Sequence, residues 1–317
     1  MRTESTSPPS SAAELPQKNT FSAPKALIFG AYALMCAIWG TTWFGIKISL
    51  LYVPPIAGAG LRFIIAGLVM YAVAIAVRKT MPLHSMPWKL ILVLAAFLFG
   101  LNYILTYTAE THVSSGLTAV LFGVLPFFMF GMGHHLIGER TTPVTWLGAI
   151  LAFGGVAVIS LEADVHGSIW YALAAVAAAF SSAFANVYAK RHAHHDPMIT
   201  LPPAMLIAGI VVAAIGFGSE HPDAHRAFSL PSWGALLYLA IAGSGIAFFL
   251  NLWLLQRIAA WIVGLSSLII PVIAVAVGVA FGGEQFGLRE LLGAALVIAG
   301  VWIALSRPSG GRLPGKA

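Results

Sequence analysis

The sequence predicts an all-α membrane protein with ten transmembrane helices arranged as two inverted five-helix repeats. Three observations predict this fold class: an apolar composition, ten apolar segments of spanning length, and a self-similarity between the two halves of the chain. Hydrophobic residues make up 59% of the 317 residues and charged residues only 9%, whereas soluble domains are typically about 25% charged. Because so few charges cannot cover a water-exposed surface, we expect the surplus apolar surface to face lipid.

Ten segments have the length that a spanning helix needs, about 20 largely apolar residues. They are 26–47, 55–77, 88–108, 114–136, 144–161, 169–189, 198–218, 233–254, 261–281 and 289–306. The connections are short and leave no room for a catalytic domain outside the membrane. Residues 1–25 have no apolar core of the kind found in a signal peptide, so they are predicted to form a disordered cytoplasmic tail, and 307–317 a second one.

The basic residues predict the orientation. With the N-terminus inside, 13 of the 17 Lys and Arg residues lie on the cytoplasmic side, three on the other, and Arg62 within a span. By the positive-inside rule both termini are therefore cytoplasmic, in an inner or plasma membrane. This distribution explains the net charge of +6 better than nucleic-acid binding does, so no nucleic-acid partner is expected.

The two halves repeat each other at an offset of 145 residues. Trp88, Pro126 and the pair Gly138-Glu139 match Trp233, Pro271 and Gly283-Glu284 without a gap between them. The halves are therefore predicted at 26–161 and 169–306. Since each contains five spans, an odd number, the second half must enter the membrane upside down. Inverted repeats are the architecture of secondary transporters, whose halves meet at a site near the bilayer midplane.

Several short motifs resemble those of the drug/metabolite transporter superfamily, specifically the EamA type with two tandem domains. They are Trp39-Gly40-Thr41-Thr42-Trp43, Val53-Pro54-Pro55, Leu61-Arg62-Phe63, Leu125-Pro126 with Gly138-Glu139-Arg140, Ile270-Pro271 and Gly283-Glu284. The resemblance covers roughly residues 26–306. It implies a transporter whose central cavity is lined mainly by helices 1, 3, 4, 6, 8 and 9. It leaves the substrate open, because the family exports amino acids, other metabolites and drugs.

The third span carries the best candidate for the cavity wall. Asn102, Tyr103, Thr106 and Tyr107 lie three and four residues apart and therefore share one helix face. Polar groups inside a span are costly unless they have partners or line a cavity. The alternative is that Tyr107 belongs to the interfacial aromatic belt and that Asn102 joins helices.

Further candidates are related by the repeat. Trp39 and Trp43 in the first span are matched by Ser182 and Asn186 in the sixth. Phe248 and Asn251 in the eighth span match Tyr103 and Thr106. A pocket with aromatic walls and a few amide and hydroxyl groups would suit a small amphipathic solute, such as an apolar or aromatic amino acid. The alternative for each pair is ordinary helix packing.

Arg62 and two prolines have special positions within spans. Arg62 lies seven residues beyond Pro55, or about 10 Å deep at 1.5 Å per residue. It could clamp a substrate carboxylate, but a structural role, in an ion pair with Glu110 or as a snorkelling side chain, is favoured. Pro126 and Pro271 are expected in the middles of helices 4 and 9, as a matched pair of gating hinges.

These features favour secondary-active export of a small metabolite, such as an amino acid, by alternating access. The alternatives are a drug exporter on the same scaffold, an integral-membrane enzyme such as a lipid-modifying transferase, and a regulatory membrane protein. No acid/base cluster or Walker A motif points to an enzyme or an ATP-driven pump. No cofactor is expected, and the histidines of 134–135 and 191–195 lack metal-ligand spacing. Substrate, coupling ion, direction and oligomeric state are left open.

Overall fold

A computed structural model describes residues 23–79, 81–110, 112, 115–160, 169–220, 230–282 and 287–306. Within these residues ten helices are long and apolar enough to cross a membrane, which confirms the predicted fold class. They are α1 Lys25–Leu50, α2 Pro55–Ala76, α3 Trp88–Glu110, α4 Leu117–Ile137, α5 Pro143–Ser160, α6 Ile169–Arg191, α7 Pro197–Glu220, α8 Ser232–Leu255, α9 Ala260–Phe281 and α10 Leu288–Ser306. The predicted tail 307–317 and nearly all of 1–25 lie outside the described residues.

Proline and glycine mark several of the helix ends. α2, α5 and α7 each begin with a proline, at Pro55, Pro143 and Pro197. Proline suits the first helical position because its missing N–H would have no partner there. Gly138 ends α4 with a φ of +70°, the left-handed conformation that a residue without a Cβ adopts at no steric cost.

Two helix pairs show the inverted symmetry directly. A Cβ added to Gly60 would lie 2.2 Å from the Ala213 nitrogen, and one added to Gly216 would lie 2.3 Å from the Ala57 nitrogen, so α2 and α7 run antiparallel in backbone contact. α5 and α10 cross in the same way through Gly148, Gly155, Gly293 and Gly300. In each pair a helix packs against its own repeat copy. Antiparallel self-pairing is what a two-fold axis in the membrane plane requires.

The other main contacts come in matched pairs. The contact of α4 with α6 corresponds by the repeat to that of α9 with α1. In the same way the contact of α3 with α6 corresponds to that of α8 with α1. α2 contacts α8 as α7 contacts α3. The self-paired helices therefore brace the two halves, and the remaining six helices surround the centre of the bundle.

Two of these six helices contain a π-helical stretch at the same repeat position. The stretches are Leu94–Leu101 in α3 and Leu239–Ile246 in α8, which are 145 residues apart. A π-helix is wider than an α-helix and leaves some backbone carbonyls short of partners. Such stretches occur often at functional sites, and each is followed within a few residues by a buried asparagine, Asn102 in α3 and Asn251 in α8.

The two prolines expected to be hinges are placed differently from each other. α4 is interrupted at Gly123–Val124, and Pro126 lies in the first turn of the segment that follows, Leu125–Ile137. Pro126 therefore lies near the middle of α4, directly after a break in the helix, and its role as a hinge stays a prediction. Pro271 does lie inside a continuous segment, Ser266–Gly282 of α9.

Candidate substrate cavity

A cavity of about 170 Å³ lies at the centre of the bundle. Its walls come from α1, α3, α4, α6, α8 and α9, with Arg62 as the contribution of α2. The structure brings together in this space all of the side chains that the repeat and the face of the third span singled out. They are Trp39, Trp43, Asn102, Tyr103, Thr106, Tyr107, Ser182, Asn186, Phe248 and Asn251. Pro271 also lines the cavity, whereas Pro126 is not among its lining residues.

Aromatic rings from both halves contact one another edge to face beside the cavity. Trp39 of α1 meets Phe248 of α8 edge to face at 5.3 Å between ring centroids, and Phe248 meets Phe99 of α3 at 4.8 Å. Phe63 of α2 lies 4.6 Å from Tyr103 in a T-shaped contact. These edge-to-face geometries are favourable, so the rings hold one another in place.

A smaller part of the lining is amide. Asn251 of α8 donates to the Asn186 side-chain oxygen on α6 at 2.7 Å, and the Asn186 amide donates to the Ser182 carbonyl at 2.8 Å. On α3, Asn102 donates to the Leu98 carbonyl at 3.2 Å. All three asparagines are buried. The amide part of the wall is therefore fixed by hydrogen bonds within the protein while still lining the cavity.

Each π-helical stretch accepts a hydrogen bond from a side chain of a neighbouring helix. The Trp39 indole N–H donates to the Gly243 carbonyl in α8 at 3.2 Å. In the other half the Ser181 hydroxyl donates to the Phe97 carbonyl in α3 at 2.7 Å. In both places the side chain satisfies a carbonyl of the widened helix. These bonds fix α1 against α8 and α6 against α3 beside the cavity.

Arg62 is fully enclosed, with 2% of its surface exposed. Its Nε donates to the Ser244 hydroxyl on α8 at 2.6 Å, and its guanidinium lies 5.4 Å from the Tyr103 ring centre. Gly243 leaves room for it, because a Cβ there would lie 3.1 Å from a guanidinium nitrogen. Among the described residues Arg62 makes no ion pair with Glu110, so the ion pair considered from sequence is replaced by this bond to Ser244.

Glu110 is a lining residue that sequence reasoning did not assign to the cavity. It ends α3, and its Oε1 atom is buried without a hydrogen-bond partner among the described residues. Leu98, Phe122 and Met129 also line the cavity and were not singled out. The apolar ones carry no distinguishing signal, because most residues of a span are apolar.

At the face of the bundle at which α1 begins, the N face, charged side chains bind the backbone of neighbouring helices. Glu139, just beyond α4, accepts hydrogen bonds from the Ala260 N–H at the start of α9 with both carboxylate oxygens, at 2.9 and 3.0 Å. Lys190 of α6 donates to the Leu255 and Ile258 carbonyls at 2.7 and 2.9 Å. Burial raises the pKa of Glu139, opposed by the Ala260 N–H and by Lys190. These bonds join α4, α6, α8 and α9 below the cavity.

Comparison with known proteins decides the family. The profile of the EamA-like transporter family matches residues 26–161 and again 169–306. The chain belongs to the EamA-like transporter family. Like other members it is a membrane transporter, and its two matched ranges are the two halves of the fold.

Individual relatives of this EamA-like transporter are also named as transporters. The uncharacterized inner membrane transporter YedA of Escherichia coli (strain K12) is 28% identical over 86% of this chain and 89% of its own. The uncharacterized transporter YoaV of Bacillus subtilis is 26% identical over 84% and 92%. The probable amino-acid metabolite efflux pump of Salmonella typhimurium is 26% identical over 85% and 92%. A crystal structure covering 89% of this chain and 98% of its own superposes with a TM-score of 0.78 at 21% identity, which shows the shared fold.

Proposed function

We propose that this transporter is a secondary-active exporter of a small amphipathic metabolite, such as an amino acid with an apolar or aromatic side chain. The observation that carries the proposal is the cavity between the two halves, which has aromatic rings on both sides and buried amides beside them. An aromatic wall packs on an apolar side chain, and amide and hydroxyl groups orient a polar end. The name of the Salmonella typhimurium relative, an amino-acid metabolite efflux pump, supports the same class of solute.

The size of the cavity favours a metabolite over a drug. Its volume is about 170 Å³, whereas sites for drug-sized ligands usually measure about 300–1,000 Å³. A volume of this size suits a solute the size of an amino acid better than a drug-sized one.

The matched helix contacts support alternating access. In the described structure Glu139 and Lys190 hold four helix ends together at the N face. In inverted-repeat transporters the symmetry lets the same chain exchange contacts at one face for equivalent contacts at the other, and we expect the same exchange here. Rocking about the glycine-packed pairs α2–α7 and α5–α10 would interconvert the two.

Flux in inside-out membrane vesicles tests the proposal. The expected result is accumulation of radiolabelled phenylalanine or leucine that a Ser267→Trp variant abolishes, because the indole would fill the cavity that Ser267 lines. The matched control is Ile298→Trp on α10, where the side chain is 65% exposed and faces lipid. No flux of any amino acid by the wild type would contradict the proposal, and flux of larger cationic drugs instead would favour the drug exporter.

The orientation within the membrane belongs to the same proposal, with the N face cytoplasmic because of the basic residues it carries. Single cysteines in a Cys36→Ala background test it. Gly287→Cys should react with an impermeant maleimide in intact cells, and Ser85→Cys, exposed on the N face between α2 and α3, should react only after permeabilisation. The reverse pattern would overturn the orientation.

A further inference from the structure

Glu110 is a carboxylate in the cavity wall for which neither the fold nor the proposed solute contacts give a role. It is the last residue of α3, and it lines the same space as Arg62, Tyr107 and Thr118. Its Oε1 atom is buried and accepts no hydrogen bond from the described residues. At the ends of other helices, Glu139 and Glu220 each accept backbone N–H bonds with both carboxylate oxygens. Glu110 differs from both.

Among the described residues, no charged group forms an ion pair with Glu110. Arg62 is the cation that α2 contributes, but its Nε is bound to Ser244 and it forms no ion pair with Glu110 among the described residues. Tyr103 and Tyr107 on the same helix are neutral hydroxyls.

The other helices that pack here contribute no described charge to the lining. α4 contributes Thr118, and α6 contributes Ser182 and Asn186, which are uncharged. His112 lies two residues beyond Glu110 and stacks on Tyr171 at 3.8 Å. At the same end of the bundle, the side chain of Lys47 of α1 lies outside the described residues, and Arg289 of α10 donates to the Val158 carbonyl at 2.6 Å.

A carboxylate in such a place has two low-energy states. An isolated ionised carboxylate in an apolar site is expensive, and it is relieved either by binding a proton or by a cationic partner. Without a cationic partner, the carboxyl takes the first state. A solute with an ammonium group supplies the second, since the ammonium takes the place of the proton at the same oxygen.

We propose that Glu110 is a proton-binding site in the cavity, at which the proton exchanges with the cationic group of a solute. The part that concerns the solute rests on the proposed export function, whereas the proton site itself does not. One carboxyl proton leaves Glu110 when an ammonium group binds and returns when that group leaves. This exchange would let a proton gradient drive export.

The proton site can be tested without any solute. Dicyclohexylcarbodiimide adds to a protonated carboxyl in an apolar site, and the O-acylisourea rearranges to a stable N-acylurea that mass spectrometry locates. We expect modification of Glu110 in the purified wild-type protein that decreases as the pH is raised, and its absence in Glu110→Gln. The matched control, Glu220→Gln, should leave modification of Glu110 unchanged. A folded wild-type protein that is not modified at Glu110 at any pH would overturn the proposal.

The coupling is tested with the same variants in proteoliposomes. Accumulation of radiolabelled phenylalanine driven by an imposed pH gradient should be lost in Glu110→Gln. In detergent solution, phenylalanine should release protons from wild type and from Glu220→Gln but not from Glu110→Gln. Gradient-driven accumulation by Glu110→Gln at the wild-type level would overturn the coupling. If wild type transports no amino acid but Glu110 is still modified, the solute assignment fails while the proton site stands.

Discussion

Glu139 and Ala260 are 121 residues apart in sequence and are joined by two hydrogen bonds, from one backbone N–H to both carboxylate oxygens. The contact satisfies the first turn of α9 with a side chain from the end of α4. Glu139→Ala should therefore cost about 0.5–2 kcal/mol, the usual effect of losing a helix cap. The measurement is thermal unfolding of the detergent-solubilised protein, followed by size-exclusion chromatography. Glu139→Gln, which keeps one acceptor, is the control and should lose less; equal melting temperatures for Glu139→Ala and wild type would contradict the assignment.

The same residue predicts a pH dependence of stability. Because burial raises the pKa of Glu139 above its ordinary value of 4.5, the folded protein holds this proton more tightly than the unfolded chain does. The stability that this proton contributes is therefore complete below pH 4.5, and it is lost as the pH rises through the pKa of Glu139 in the folded protein. Wild type should gain stability relative to Glu139→Gln on acidification from neutral pH. If the stability advantage of wild type over Glu139→Gln became smaller on acidification instead, the hydrogen bonds to Ala260 would outweigh burial in setting the pKa of Glu139.

The glycine crossing of α5 and α10 gives a prediction with a control one residue away. A Cβ on Gly155 would lie 2.7 Å from the Gly293 carbonyl oxygen and the Val297 nitrogen, both backbone atoms that cannot yield. Gly155→Ala should therefore separate the two helices and sharply lower the folded yield. A Cβ on Gly154 meets nothing within 4 Å, so Gly154→Ala should be neutral or stabilise by about 0.5–1 kcal/mol. Similar yields for the two variants would contradict the close crossing.

Arg62 is predicted to act in folding. Arg62→Ala removes a side chain that is only 2% exposed and leaves the buried Ser244 hydroxyl without its hydrogen-bond donor. The folded yield should therefore fall. Arg62→Lys should restore only part of it, because lysine lacks the planar fork and the Nε donor. Lys89→Ala, an exposed basic residue at the start of α3, is the control. Normal folded yield of Arg62→Ala with loss of flux for carboxylate solutes alone would assign Arg62 to substrate binding instead.

Tyr103 is predicted to contact the solute. Tyr103→Ala should lower transport affinity several-fold, corresponding to about 0.5–1.5 kcal/mol for one lost aromatic contact beyond the area buried. Phe153→Ala is the control, since Phe153 packs on Phe127 at 5.8 Å between ring centroids and is not among the cavity-lining residues. It should change stability only. Flux measured over a range of solute concentrations, with equal amounts of folded protein, separates an effect on affinity from an effect on stability. An unchanged affinity of Tyr103→Ala for the solute would show that Tyr103 does not contact it.

The sequence predicts the helices closely, because lipid imposes a length and a polarity on every span. Each predicted span agrees with its helix to within about three residues at either end, and the repeat offset of 145 correctly predicts the inverted pairing. The π-helical stretches were not predicted. Their residues, Leu94–Leu101 and Leu239–Ile246, have the same apolar composition as any α-helical span. What distinguishes them is the carbonyl partners on α6 and α1, which only the folded chain brings together.

The candidate cavity was predictable where polarity marks a helix face, and elsewhere it was not. Asn102, Thr106 and Tyr107 stand out because amides and hydroxyls are costly in lipid. Glu110 carries no such signal, since a carboxylate at the end of a span is usually solvated. Whether Glu110 caps a helix, forms an ion pair or stays without a partner depends on how the neighbouring helices pack. The same packing decides that Arg62 binds Ser244 and not Glu110.

The antiparallel self-pairing of α2 with α7 and of α5 with α10 also bears on how such a chain can be assembled. In these two pairs the halves are joined by contacts of a helix with its own repeat copy, in addition to the matched contacts between the other helices. An ancestral five-helix protein inserted in both orientations would have possessed this interface before the gene was duplicated. The covalent link between the halves then contributes a raised local concentration, not a contact. Two polypeptides divided between α5 and α6, co-expressed in one membrane, should therefore reassemble into the same bundle.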